Sequence, residues 1–209
     1  VMTDTVGVRG IVFLVYTSGL MFVIRLRGGA LARSLTPFGL LAGSCVLSAA
    51  GLYWLSHSFS PLPAFAAATV FGVGKTCLWP TLLGVTSERY PRGGAFLLAL
   101  LSATGMIAGG LAGPAMGHIY DRCTIRHLPE RVVKAVVVDG RFSPAAKEAL
   151  EDPADLAAVR GAEKQGAAMT FRHAALLPVV PFFVYVALGL YHRSRGGYRV
   201  VSAKGGTGG

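Results

Sequence analysis

The sequence predicts an all-α membrane protein, a polytopic bundle of transmembrane helices, from three observations. Residues of apolar type make up 53% of the chain and charged residues only 14%, against about 25% charged in an ordinary soluble domain. Mean hydropathy is +0.55, so a soluble fold of this length lacks the polar groups to cover its surface. The apolar residues fall in stretches near the length that crosses a bilayer, about 20 residues per helix.

The first stretch runs from about Gly10 to Ile24 and is closed by Arg25 and Arg27. From Ser34 to Gly74 there is no charged residue, counting histidine as neutral. That run is too long for one span, and Ser56–Pro63, rich in serine and proline, divides it into spans at about Pro37–Leu55 and Leu62–Val85. A fourth span runs from Gly93 to about Gly117 and a fifth from about Ala174 to Tyr191. Between them, Asp121 to Lys164 carries eight Lys/Arg and eight Asp/Glu. It reads as short helices outside the membrane: an apolar-periodic run from Glu130 to Val138, a turn at Asp139-Gly140, and helix starts at Ser143-Pro144 and Asp152-Pro153, since proline in a first turn loses no hydrogen bond. The organisation is thus four spans in residues 1–118, an extramembrane helical insertion in 119–170, and a last span with a basic tail in 171–209. The insertion is short and poor in large apolar residues for an independent domain.

The net charge of +10 is explained by topology. Arg25, Arg27 and Arg33 follow the first span, Glu88, Arg89 and Arg92 follow the third, and Arg193, Arg195, Arg199 and Lys204 follow the fifth. If each span crosses, all three groups share one side, which the positive-inside rule makes cytoplasmic. No basic face with interleaved aromatics appears, so nucleic acid is not expected as a partner. The three cysteines are widely spaced and form neither a metal motif nor a disulfide framework. Neither a metal nor any other cofactor is expected. The chain opens on Val1 without a signal peptide, and the simplest reading is a truncated chain.

Lys75 is the most informative residue. A charge in mid-span costs roughly 2.5–3.5 kcal/mol on insertion scales, so it should face a cavity or a partner. Helical spacing puts Ala68, Gly72, Lys75 and Trp79 on one face. Pro80 leaves the carbonyl of Thr76 without its helical donor. A substrate or ion contact in a central cavity is the functional reading; a structural lysine paired with a carboxylate or loosened carbonyls is the plain one. Tyr16, with Thr17 and Ser18, lies at mid-depth in the first span and either lines the same cavity or makes an interhelical hydrogen bond. Ser102 and Thr104 either line it or bond back to their own helix. Gly105, Gly109, Gly113 and Gly117 recur every four residues and predict close helix packing along one face. Enzyme signatures are missing: the five histidines are scattered, and Gly72-Val-Gly-Lys-Thr76 lacks the first glycine and the preceding strand of a phosphate loop. No enzymatic role is expected.

Gly74-Lys-Thr-Cys-Leu-Trp-Pro-Thr-Leu-Leu-Gly-Val-Thr-Ser-Glu-Arg-Tyr-Pro-Arg-Gly-Gly-Ala95 resembles the tenth helix and following loop of a bacterial subgroup of the major facilitator superfamily. Arg25-Leu-Arg-Gly-Gly-Ala-Leu-Ala-Arg33 looks like a degenerate form of that superfamily's basic loop between helices eight and nine, His192-Arg-Ser-Arg-Gly-Gly-Tyr198 resembles the subgroup's end, and the long external insertion between the last two spans also looks like that subgroup. The resemblance implies that the five spans are helices eight to twelve, part of the C-terminal half of a major-facilitator fold. It further implies a multi-pass carrier of the cell (inner) membrane with a cytoplasmic tail. Two halves would rock about a midplane site in alternating access, secondary active or facilitative. Partners would be a small-molecule solute, the lipid bilayer and the missing N-terminal half. Lys75, Trp79, Tyr16, Thr76 and Ser102 are the candidate cavity residues; Arg25, Gly29, Arg33, Glu88 and Arg92 are assigned to gating loops. The acidic residue usual in the basic loop is absent, which puts its carboxylate latch in doubt; Glu88 and Arg92 could supply part of it. The alternatives are a non-transporting membrane scaffold or assembly protein and a membrane-embedded enzyme.

Overall fold

The computed structural model describes residues 10–34, 36–90 and 92–196; the side chains of residue 10 and of residues 27–34 lie outside the description. The elements in chain order are α1 (Gly10–Ser34), α2 (Pro37–Leu55), α3 (Pro61–Arg89), α4 (Gly94–Arg126), α5 (Glu130–Val136), β1 (Val137–Val138), β2 (Arg141–Phe142), α6 (Pro144–Glu148), α7 (Pro153–Ala174) and α8 (Val179–Ser194). Four helical stretches are long and apolar enough to cross a membrane: α2, α3, α4 and the α7–α8 unit, Pro153–Ser194. The apolar part of α1, Ile11–Leu26, is shorter. The chain is therefore a predominantly helical membrane protein.

Local chemistry sets the boundaries. Thr36 caps α2 by accepting the Gly39 N–H, with Pro37 in the first turn. Pro61 opens α3, which then runs unbroken through Pro80 to Arg89. Thr76 and Thr81 bond back to the carbonyls of Gly72 and Cys77, each at 2.6 Å. Neither acceptor is the carbonyl of Thr76, which Pro80 leaves without its helical donor; the two hydroxyls are satisfied within their own helix.

The helices alternate in direction. Phe13 stacks on Phe65 at 4.3 Å and the Tyr16 hydroxyl meets Thr69 Oγ1 at 2.7 Å, so α1 runs parallel to α3. Helix α2 lies antiparallel against α3 through small residues. A Cβ on Gly74 would sit 2.6 Å from the Ser48 nitrogen and 2.8 Å from the Ser44 oxygen, and one on Gly51 would strike the Phe71 backbone. The buried face of α2 is Leu41, Ser44, Cys45, Ser48, Gly51 and Leu55, spaced for one helical stripe. Helix α8 returns antiparallel to α2, with His192 stacked on Phe38 at 5.1 Å.

Two expectations are corrected here. The Arg25–Arg33 stretch is not a loop: α1 stays helical through Ser34, because nothing before Pro37 breaks it, and Gly28-Gly29 alone only weakens a helix. The tight small-residue crossing is α2 on α3, not the glycine ladder of α4. A Cβ on Gly105 would meet the Trp79 ring at 2.5 Å, but at Gly109, Gly113 and Gly117 it would meet nothing within 4 Å. The small-residue pattern was present in α2 and α3 as well, at Ser44, Ser48 and Gly51 against Ala67 and Gly74. A single sequence does not say which such stripe finds a partner.

The charged stretch between the last two spans carries its own core. Leu128, Val132, Val136, Phe142, Val159 and Ala162 are buried together, with Tyr120, Ile125 and Leu150 packed on them. Helix α4 runs on to Arg126, well past the expected Gly117, and α5 stops at Val136 rather than Val138. Val137 and Val138 instead pair with Phe142 and Arg141 across a tight turn. Asp139 (φ 51°) and Gly140 (φ 73°) both take positive φ, as a two-residue hairpin turn requires. The expected starts at Ser143 and Asp152 are real caps, accepting the N–H groups of Ala146 and Ala154. Lys147 Nζ donates to the buried Glu163 at 2.6 Å. Gly166 lets α7 approach α4 where a Cβ would strike Thr124. The helix then breaks over residues 175–178, where Pro178 and Pro181 cannot donate to the carbonyls of Ala174 and Leu177, and α8 follows.

Candidate functional site

The C-terminal ends of α1, α3 and α8 meet the N-terminal ends of α2 and α4 at one end of the bundle. Arg25 and Glu88 line a cavity of about 330 Å³ there, with Ile24, Pro37, Cys77 and Pro80 among its walls. Arg89 Nη2 lies 2.9 Å from His192 Nε2, and the imidazole is in turn stacked on Phe38. Arg92 is exposed in the short turn between α3 and α4. Three of the residues assigned to gating loops, Arg25, Glu88 and Arg92, thus belong to one end of the fold. Gly29 and Arg33 are helical in backbone, and their side chains, like the tail beyond residue 196, lie outside the described residues. The Arg89–His192–Phe38 link was not foreseen. Its only signal in sequence is that each residue sits at the end of a span.

The candidate cavity residues divide into two groups. Thr76 is buried at 1% exposure and its hydroxyl is held by Gly72. Tyr16 is held by Thr69 on the α1–α3 seam, which is its interhelical alternative. Thr17 bonds back to Phe13, and Thr104 to Leu101. The hydroxyl hydrogens of Thr76, Thr17 and Thr104 are committed to their own helices, and Thr76 also lines the 330 Å³ cavity.

Lys75, Trp79 and Ser102 form the second group. Trp79 of α3 packs on Gly105 of α4, and Ser102 lies one turn from Gly105 on the same side of α4. Lys75 lies one turn from Trp79, about 200° around α3 from Cys77 and hence on the opposite side from the 330 Å³ cavity. It is exposed, its Nζ stands 5.9 Å from the Phe71 ring centroid, and among the described residues it makes no ion pair. Because α3 and α4 are antiparallel, Lys75 is level with Gly109, where an added Cβ would meet nothing within 4 Å. On α4, turned away from the Gly105 contact, Met106 and Ile107 are exposed at 79% and 63%. The arrangement places one cation on an apolar, unfilled face. Its chemistry is electrostatic: it can hold an anionic group or a carboxylate, and it has no neighbouring nucleophile or base.

Among the described residues no cluster of three or more His, Cys, Asp or Glu could hold a metal. Compared with known proteins, the chain matches no family model, no curated protein and no solved structure.

Proposed function

We propose that this chain is the C-terminal part of a secondary carrier resembling the major facilitator superfamily, moving a small solute by alternating access. The observation that supports it is Lys75: a charge kept at mid-span on an open face, beside an amphipathic tryptophan that packs on the neighbouring helix. A charge in that setting is costly and marks a pathway or a partner. The bare inner face of α4 is where a second half would pack, and five helices of one half cannot enclose a route alone. Counterflow in liposomes tests the reading, using the longer polypeptide and a panel of sugars, organic acids and nucleosides. Saturable exchange of one solute is expected, with none from residues 1–209 alone. Robust uptake by the isolated chain would sink the idea of a missing half.

The same reading puts the end that carries Arg25, Arg89 and His192 in the cytoplasm, by the excess of basic residues there. Reporter fusions after Pro61 and after Arg195 are expected on opposite sides of the membrane, the second inside. Both on one side would overturn the topology.

A further inference from the structure

At the far end of α4 a second cavity, of about 250 Å³, is lined by Ile119, Arg122, Cys123, Arg126, His127, Met169 and His173. The titratable or charged groups facing it are Arg122, Cys123 and Arg126 of α4, His127 in the turn that follows, and His173 of α7. Among the described residues no carboxylate lines it. Arg122 and Arg126 are one helical turn apart on α4 and both are exposed, so either guanidinium can swing to the mouth of this mostly apolar cavity. His127 Nδ1 lies 2.7 Å from the Cys123 carbonyl and His173 Nδ1 2.8 Å from that of Met169. A carbonyl can only accept, so both Nδ1 atoms carry the hydrogen, and each ring gains a second N–H only by taking up a proton at Nε2. The soft ligands Cys123 and Met169 do not make this a cation site, because two permanent positive charges stand in the wall.

We propose that this cavity binds a phosphate-like oxyanion, held by Arg122 and Arg126, with the rings of His127 and His173 beside it. Guanidinium forks match tetrahedral oxyanions. From Gly94 to Arg122 the helix rises about 42 Å, roughly the full depth of a bilayer with its headgroups. The site therefore sits where a lipid phosphate or a dissolved anion can reach it. It is independent of the transport reading.

The test uses the whole chain with labelled histidines. In micelles, sulfate is titrated against chloride at constant ionic strength. The His127 and His173 ring signals are expected to move saturably, while His57 and His192 stay put. Arg122→Gln with Arg126→Gln should weaken binding on the order of tenfold or more, and the two Arg→Lys changes should weaken it less. Each single Arg→Gln serves if the double variant loses the His192 signal, which its stacking on Phe38 makes a reporter of folding. A second arm compares nanodiscs of phosphatidylcholine with nanodiscs containing phosphatidylglycerol. Movement with phosphatidylglycerol that sulfate no longer augments identifies a lipid headgroup; movement with sulfate alone identifies a soluble anion. No saturable movement in either arm, or equal binding by the Arg→Gln variants, overturns the site.

Discussion

On the proposed reading of the chain as part of a carrier, Lys75→Met in the whole carrier is expected to abolish most solute exchange per folded molecule while leaving the amount of folded protein unchanged or higher. Methionine keeps the length of the chain and suits an apolar face. Among the described residues Lys75 has no carboxylate partner, and its nearest feature is the Phe71 ring at 5.9 Å. Removing the charge therefore strands no buried anion within this chain and removes a cost of roughly 2.5–3.5 kcal/mol. If the lysine serves to hold a solute or a carboxylate of the other half during transport, the loss falls on exchange. Lys75→Arg should restore only part of it, since the planar guanidinium places its charge differently. Counterflow normalised to monodisperse protein decides the matter. An unchanged rate would remove Lys75 from the pathway, leaving Trp79 and Ser102 as the members of that face.

The second large effect concerns folding. Gly51→Leu or Gly74→Leu should reduce monodisperse protein severalfold, while Gly43→Leu on the same helix as Gly51 should be tolerated. At Gly74 the first added carbon already sits 2.6 Å from the Ser48 nitrogen and 2.8 Å from the Ser44 oxygen, and at Gly51 it strikes Phe71 backbone. Backbone cannot rotate away as a side chain can, so α2 and α3 must part. Overpacking of a well-filled seam costs about 1–3 kcal/mol, and separation of the helices costs more. Gly43 has nothing within 4 Å of its Cβ position. Size-exclusion profiles of fluorescent fusions would show the contrast. Equal yields from all three variants would mean that the α2–α3 crossing is not as close as described.

The sequence alone determined the solvent of this protein and most of its helices. Scarce charge and long apolar runs leave a chain no alternative to lipid, and proline with a preceding serine, threonine or aspartate fixes where helices start, as at Thr36-Pro37, Ser143-Pro144 and Asp152-Pro153. It also located Lys75, because a lone charge in an apolar run is visible without any structure. What it left open was which faces meet. Ser44, Ser48 and Gly51 carry as good a small-residue pattern as Gly105 to Gly117, yet among the described residues the second is met only at Gly105, by Trp79. Tyr16 and Thr76 carry hydroxyls as suitable as Ser102 for a cavity, yet Thr69 and Gly72 hold them. Only the tertiary structure brought His127 and His173 to one cavity with Arg122 and Arg126. Local rules act over one or two helical turns, whereas pairing depends on the packing of helices far apart in the chain, each with several faces that satisfy the same rules.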